Sequence, residues 1–487
     1  RDGPHSFANN LLSTYSHEMY ESLNSWLNIS FDIFGRTGNK HHPEITQNIF
    51  NRLREKGMVR REGKYMFLES KRIRPELEKL VLEKGPKWSV EAIGVTKEGL
   101  KEWLEDDDWL EDCPIMKDGL DWDPEWGVLL GYISVTAAAM EGWKRWWRPC
   151  SNCEVEVQLH QFVGEEQEDH WRIWSHIGLL PATLLAASCP DNRWTILHQL
   201  SVTSCVSYLD DTGFFRSLDV GVFGNSAQKR GLSADIFRFC LLHSSLDYYY
   251  GDEFFWSDLI NAHNELLVDK IAKFIRRVVR AVNSEPYFGT VPRHHRDRLE
   301  ESLPSVVSKV ASERAEKLKD VVHDLLSGYA DQLENGELKK GQDQILKLAE
   351  VGISFVDWPS DLDKHEHAGV WDVFLGLGIN LVCLLAAMLE PYIPTTAAGI
   401  FRMLQVERPV GRLQEHWTRV CEGDGPVESW HEIGDWAGVN ALFEYIDPAK
   451  ADVWEANSEG RRKKRAERWR MRGATRSRRS DDSCLFR

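Results

Sequence analysis

A chain of 487 residues, 42% of them hydrophobic and with twenty Trp and twenty Phe, has the apolar material for about two to four cored domains, which excludes a disordered chain. Its formal charge of −16 is unevenly spread: residues 461–487 hold twelve basic and three acidic residues, so a tail of +9 follows a body of −25. Nine scattered cysteines, an odd number, exclude a disulfide framework and fit reduced thiols in an intracellular protein.

In chain order, residues 7–60 read as two helices around a short strand-like piece, Ile29–Phe34. The stretch PEITQNIFNRLREKG sets Ile45, Ile49, Phe50 and Leu53 on one helical face, and Gly57 stops it. Residues 61–125 are charged and mixed, with helical stretches and the acidic cluster EDDDWLED. From Gly131 short apolar runs appear, GYISVTAA, HIGLLPATLLAA and TILHQLSVTSCVSYL, which predict α/β units. Beyond Ser257 the pattern is helical. Leu266, Leu267, Ile271, Phe274, Ile275 and Val278 form one stripe; Val307, Val310, Leu318, Val321, Val322 and Leu325 form another. Such stripes bury one another, so 258–405 is expected to be a helical bundle. The apolar run Val373–Leu389 is broken by Asn380 and two glycines and ends before Pro391 and Pro394; it predicts a buried bundle helix, not a membrane contact.

Chemistry-bearing motifs are few. Cys150-Ser-Asn-Cys153 is a lone CxxC, whereas a closed zinc site needs four ligands, so no zinc is expected. His41-His42, His294-His295 and His365-Glu366-His367 lack a metal-binding spacing. Neither GxSxG nor a P-loop is present. The basic tail leaves two readings open, a polyanion-seeking arm or a solvated segment without a partner.

At LNISFDIFGRTGNKHHPEITQNIFNRLREKGMV the chain resembles the eukaryotic cytosolic methionyl-tRNA synthetases. The resemblance continues in order through LLGYISVTAAAMEGWKRWW, LPATLLAA, VGVFGNSAQKRGLSADIFRFCLL, NELLVDKIAKFIRR, YFGTVP and INLVCLLAAMLEPYIPTTA. It implies a partial class I doubly wound α/β nucleotide-binding core with a reduced connective insertion, followed by an all-α anticodon-binding bundle. The expected division is 1–60, remnant of the first half of the core; 61–125, reduced insertion; 126–257, second half with the phosphate loop; 258–405, bundle; 406–460, extension; and 461–487, basic tail.

The resemblance also implies sites. His176-Ile177-Gly178 shows three letters of the HIGH signature, but it follows the insertion, whereas the family's HIGH turn precedes the NISFDIFGRT block. Counted back from Pro181, His176 matches a histidine of the methionine pocket, with Tyr132 and, across a gap, Trp126. The KMSKS loop, whose lysines meet the charge developing on ATP phosphates, aligns with Gly213-Phe214-Phe215-Arg216-Ser217. Glycine replaces the first lysine and Arg216 the second, leaving Arg216 and Ser217 as the catalytic candidates. In the bundle, Arg277 and Trp358 match anticodon-reading residues, and Lys273 stands where the family has Asn. The implied function is ATP-dependent charging of tRNA with methionine in the cytoplasm, with ATP and magnesium, tRNA and methionine as partners, and a multi-synthetase or other protein partner as a further option. With the HIGH segment outside the sequence in hand and the loop altered, the chain is expected to be inactive in adenylation. The competing expectation is a non-catalytic synthetase-like tRNA- or protein-binding paralogue.

Overall fold

The computed structural model describes residues 24–32, 40–79, 87–89, 112–117, 121–140, 142–148, 157, 159–164, 179–189, 193–196, 199–203, 209–210, 213–214, 224–244, 255–293, 306–409, 411–434 and 442–454. Helix α1 (His42–Glu55) takes Pro43 in its first turn and buries Ile45, Ile49, Phe50 and Leu53, the face its sequence spacing predicts. Gly57, at φ +70°, then turns the chain in the left-handed region. The strand-like piece at 29–34 is not a strand over its described part, 29–32. Asn28, at φ +54°, ends a helical turn, and residues 29–32 continue from it as irregular backbone. Ile33 and Phe34 lie outside the described residues.

Strands β1 (Val59–Glu62) and β2 (Tyr65–Leu68) form a tight hairpin in which Glu62 pairs with Tyr65 around Gly63, at φ +58°. After helix α2 (Ser70–Lys79) and strand β3 (Lys87–Ser89), strands β4 (Cys113–Lys117) and β5 (Asp121–Trp122) extend the hairpin into the antiparallel sheet β1-β2-β4-β5. Helix α3 (Pro124–Ala139) covers it, so the run GYISVTAA is helical rather than the start of a strand. The nucleotide-fold part is a parallel sheet ordered β3-β7-β6, with β6 at His160–Gly164 and β7 at Gln199–Thr203. Between β6 and β7 runs helix α4 (Leu180–Ala187), which is the crossover a parallel pair requires. The Lys56 ammonium donates to the Ala186 and Ser188 carbonyls, at 2.5 and 2.8 Å, and so neutralises the negative end of α4. A short hairpin, β8 (Leu209–Asp210) with β9 (Gly213–Phe214), follows.

The remainder is helical: α5 (Gly224–Lys229), α6 (Ala234–Ser244) and α7 (Trp256–Ala262) lead into a π-helical stretch, His263–Ala272, continued by α8 (Lys273–Asn283). Then come α9 (Val306–Glu334), α10 (Leu338–Asp357), α11 (Ala368–Leu389), α12 (Pro394–Leu404) and α13 (Leu413–Cys421). Their common core runs from Ala227 to Ala451, beyond residues 258–405 at both ends. A second core, from Ile45 to Trp194, lies under α1, α3 and α4. An α/β core joined to a helical bundle is thus the architecture the resemblance implied. Along α9 the buried line is Ala311, Leu318, Val322, Leu326 and Tyr329, with Val321 and Leu325 at its edge.

Helix α11 is long and apolar enough to span a membrane, yet 94% of its apolar window is buried among the other helices. Its one deeply buried amide, Asn380, explains the break in the apolar run. The amide nitrogen donates to the Gly376 and Val427 carbonyls, both at 3.0 Å, and the amide oxygen accepts from Val427 N–H at 3.1 Å. A second tie holds the chain end. Asn264 donates to the Ile446 carbonyl at 2.8 Å and accepts from Ile446 N–H at 3.0 Å, while His263 bonds the Glu444 carbonyl at 2.9 Å.

Burial lowers the pKa of His42, His243 and His263 below the ordinary 6.5. The unfolded chain therefore binds more protons than the folded one below that value. Stability should be full above pH 6.5 and fall as the pH drops through the lowered folded-state values. Thermal melts at pH 7.5 and 5.5 check this; an equal or higher midpoint at pH 5.5 refutes it.

Candidate functional site

The sequence-predicted residues fall into two groups. In the α/β part, Trp126 on α3 is 0% exposed within the core beneath the antiparallel sheet, and its indole N–H meets no acceptor among the described residues. Tyr132 is carried by the same helix. His176, Arg216 and Ser217 lie outside the described residues, as does Cys150-Ser-Asn-Cys153. Gly213 is in β9, paired with Asp210. A link that sequence reasoning missed joins α1 to α3: His42 Nδ1 and Ser134 Oγ are 2.7 Å apart.

The bundle brings its predicted residues together. Helix α8 buries Phe274, Ile275, Val278, Val279 and Val282, which leaves Lys273, Arg277 and Arg280 exposed on the opposite face. Close approach of α10 depends on Gly352, where a Cβ would lie 2.5 Å from Phe274 Cζ. That approach carries the end of α10 to the basic face, and Asp357, its last residue, forms an ion pair with Arg277. Lys270 is paired in the same manner with Glu350, at 2.9 Å.

Trp358 opens a 3₁₀ turn (Trp358–Asp361) directly after Asp357. Its half-buried ring packs on Phe374, with centroids 5.2 Å apart, and Phe374 in turn stacks on Phe355 at 4.1 Å. The Arg314 guanidinium, from α9, stands 5.1 Å from the Trp358 ring centre. Arg277 and Trp358 are therefore neighbours through Asp357, with Lys273 one helical turn away. Asp357 was legible beside Trp358 in FVDWPSD; Arg314, on another helix, left no signal in the sequence.

The loop leaving Trp358 is fixed by hydrogen bonds at Asp363 and Lys364. Asp363 accepts the N–H groups of His365 and Glu366, at 2.8 and 3.0 Å, which holds its carboxyl below the ordinary range. Lys364 donates to Ser284 Oγ at 2.9 Å and ties the loop to the end of α8. Among the described residues no group of three or more His, Cys, Asp or Glu could hold a metal ion.

The model of the family described as tRNA synthetases class I (M) matches residues 6–73 and 59–279, more than half of the sequence. The chain belongs to the class I (M) tRNA synthetases. A Schizosaccharomyces pombe protein named probable cytoplasmic methionine–tRNA ligase is 30% identical over 417 residues, covering 82% of this chain and 48% of the relative. The Homo sapiens cytoplasmic methionine–tRNA ligase is 25% identical over 479 residues, covering 81% and 49%. The chain spans about half the length of these curated relatives. In fold it is similar to the apo methionyl-tRNA synthetase of Mycobacterium tuberculosis, with a TM-score of 0.63 at 14% identity, covering 91% of this chain and 89% of that one. The same enzyme bound to methionyl-adenylate gives 0.60 at 15% identity, covering 87% and 85%.

Proposed function

We propose that the chain serves the methionine–tRNA ligase system of the cytoplasm, binding tRNA through the Lys273–Arg277–Trp358 face and the basic tail. The observation that carries this reading is the junction at Asp357, which sets a cation and an indole side by side at the edge of α8. Unpaired bases stack on such a ring, and cations draw the phosphates between them. The family's full reaction is attack of the methionine carboxylate on the ATP α-phosphate, then transfer of the methionyl group to the terminal adenosine of tRNA. His176 and Tyr132 would line the methionine pocket, and Arg216 and Ser217 would face the phosphates; Trp126, also expected in that pocket, is 0% exposed and offers no face to a ligand. Magnesium would enter with ATP, held by the phosphates themselves. A second reading, a synthetase-like RNA- or protein-binding chain without adenylation, is favoured by Gly213 in place of a phosphate-contacting lysine.

The two RNA contacts differ in kind, and salt separates them. Phosphate contacts release counterions, so deleting 461–487 should flatten the dependence of tRNA affinity on salt. Trp358→Ala should weaken binding at every salt concentration by about 1–3 kcal/mol without changing the slope. With Lys273 in the Asn position, altered anticodons should bind almost as well as CAU. An affinity untouched by Trp358→Ala, or strong rejection of altered anticodons, would refute this assignment.

A further inference from the structure

The cations of the α8 face are not equally available. Arg277 is neutralised by Asp357 and Lys270 by Glu350. Arg314 is exposed and has no carboxylate within ion-pair distance among the described residues. It approaches the same indole that Phe374, 0% exposed, supports from the core. The guanidinium and the core-backed indole are already in contact, so a group that entered between them would have to part them.

We propose that Arg314 is a base-binding residue: an unpaired RNA base enters between its guanidinium and the Trp358 indole. The proposal rests on the RNA-binding reading above and adds α9 to that site. The present spacing of 5.1 Å is closed; a base needs about 7 Å, two van der Waals layers, so the guanidinium must swing outward. An exposed arginine on a long helix does this by changing rotamer, with no backbone movement. Arginine suits the role because its charge is spread over a plane that stacks, whereas a lysine ammonium is a compact point charge. Such a slot accepts any base, since every base offers a π-face.

The test uses the full chain and a CAU anticodon stem-loop RNA carrying 2-aminopurine at the middle anticodon position. Arg314→Ala should weaken binding about five- to tenfold, relieve the 2-aminopurine quenching and leave both the melting midpoint and the salt slope unchanged. Arg314→Lys should lose most of the same affinity. Unchanged or tighter binding by Arg314→Ala, while Trp358→Ala still weakens it, overturns the slot. A salt slope reduced by about one phosphate contact overturns it in favour of a backbone contact. If Trp358→Ala itself has no effect, the failure lies in the RNA-binding reading.

Discussion

Methionine-dependent exchange of pyrophosphate into ATP by this chain is expected to stay at the level of a control without enzyme. Adenylate formation builds negative charge on the phosphates, and positioned cations lower that barrier because they need not reorganise as the reaction proceeds. Position 213 offers only a glycine, in a two-residue strand paired with Asp210. Removal of one preorganised contact of this kind typically costs about 2.7–4 kcal/mol, or roughly 10²–10³ in rate. On the proposed alignment with the phosphate loop, Arg216 would keep a positive charge at the second lysine position but not the compact, rotatable ammonium. Exchange clearly above the control, rising with methionine concentration, overturns this expectation.

Asn380→Leu should destabilise the bundle by about 3 kcal/mol. Leucine keeps the branching and the number of side-chain heavy atoms, so no cavity opens and the cost comes from lost polar partners. The substitution leaves both the N–H and the carbonyl of Val427 without their partner, and Val427 is buried. Each orphaned buried group costs about 1–3 kcal/mol. The chain around Val427 cannot easily move to water, because Gly425 already sits so close that a Cβ on it would lie 2.6 Å from Asn380 Oδ1. For a bundle of this size the midpoint of thermal unfolding should fall by about 6–12 °C. A shift below 2 °C would mean that the Val427 segment finds other partners and that the amide is not its anchor.

The bundle was readable from helical spacing in its first stripe, whereas of the second predicted stripe only Leu318 and Val322 are buried. Every member of the first predicted stripe, from Leu266 to Val278, is buried. The period says nothing, however, about which helix meets which. The contact of Gly352 with Phe274, the Arg277–Asp357 pair and the approach of Arg314 to Trp358 all join helices far apart in sequence. The strand-like piece at Ile29 is not a strand over 29–32 for a related reason: β-propensity acts only where tertiary context supplies a sheet, and a short apolar run does not say whether it does. GYISVTAA reads as part of an α/β unit, yet α3 carries its β-branched residues, whose helix penalty is modest and of which Ile133 is fully buried. Asn380 was visible only as an interruption, since its partner lies 47 residues away.

The ties from His263 and Asn264 to Glu444 and Ile446 give the basic tail a fixed origin. Trp454, beyond those ties, packs against Trp256 with ring centres 5.2 Å apart. Residue 461 can then lie no farther from Trp454 than about 25 Å, the span of seven fully extended residues. Covalent connection to Trp454 thus brings the start of the basic tail within that distance of one end of the bundle. A weak contact by the bundle and a weak contact by the tail multiply when one RNA reaches both. On the RNA-binding reading proposed above, His263 and Asn264 would then help to set how tightly the whole chain holds RNA, through the segment they anchor.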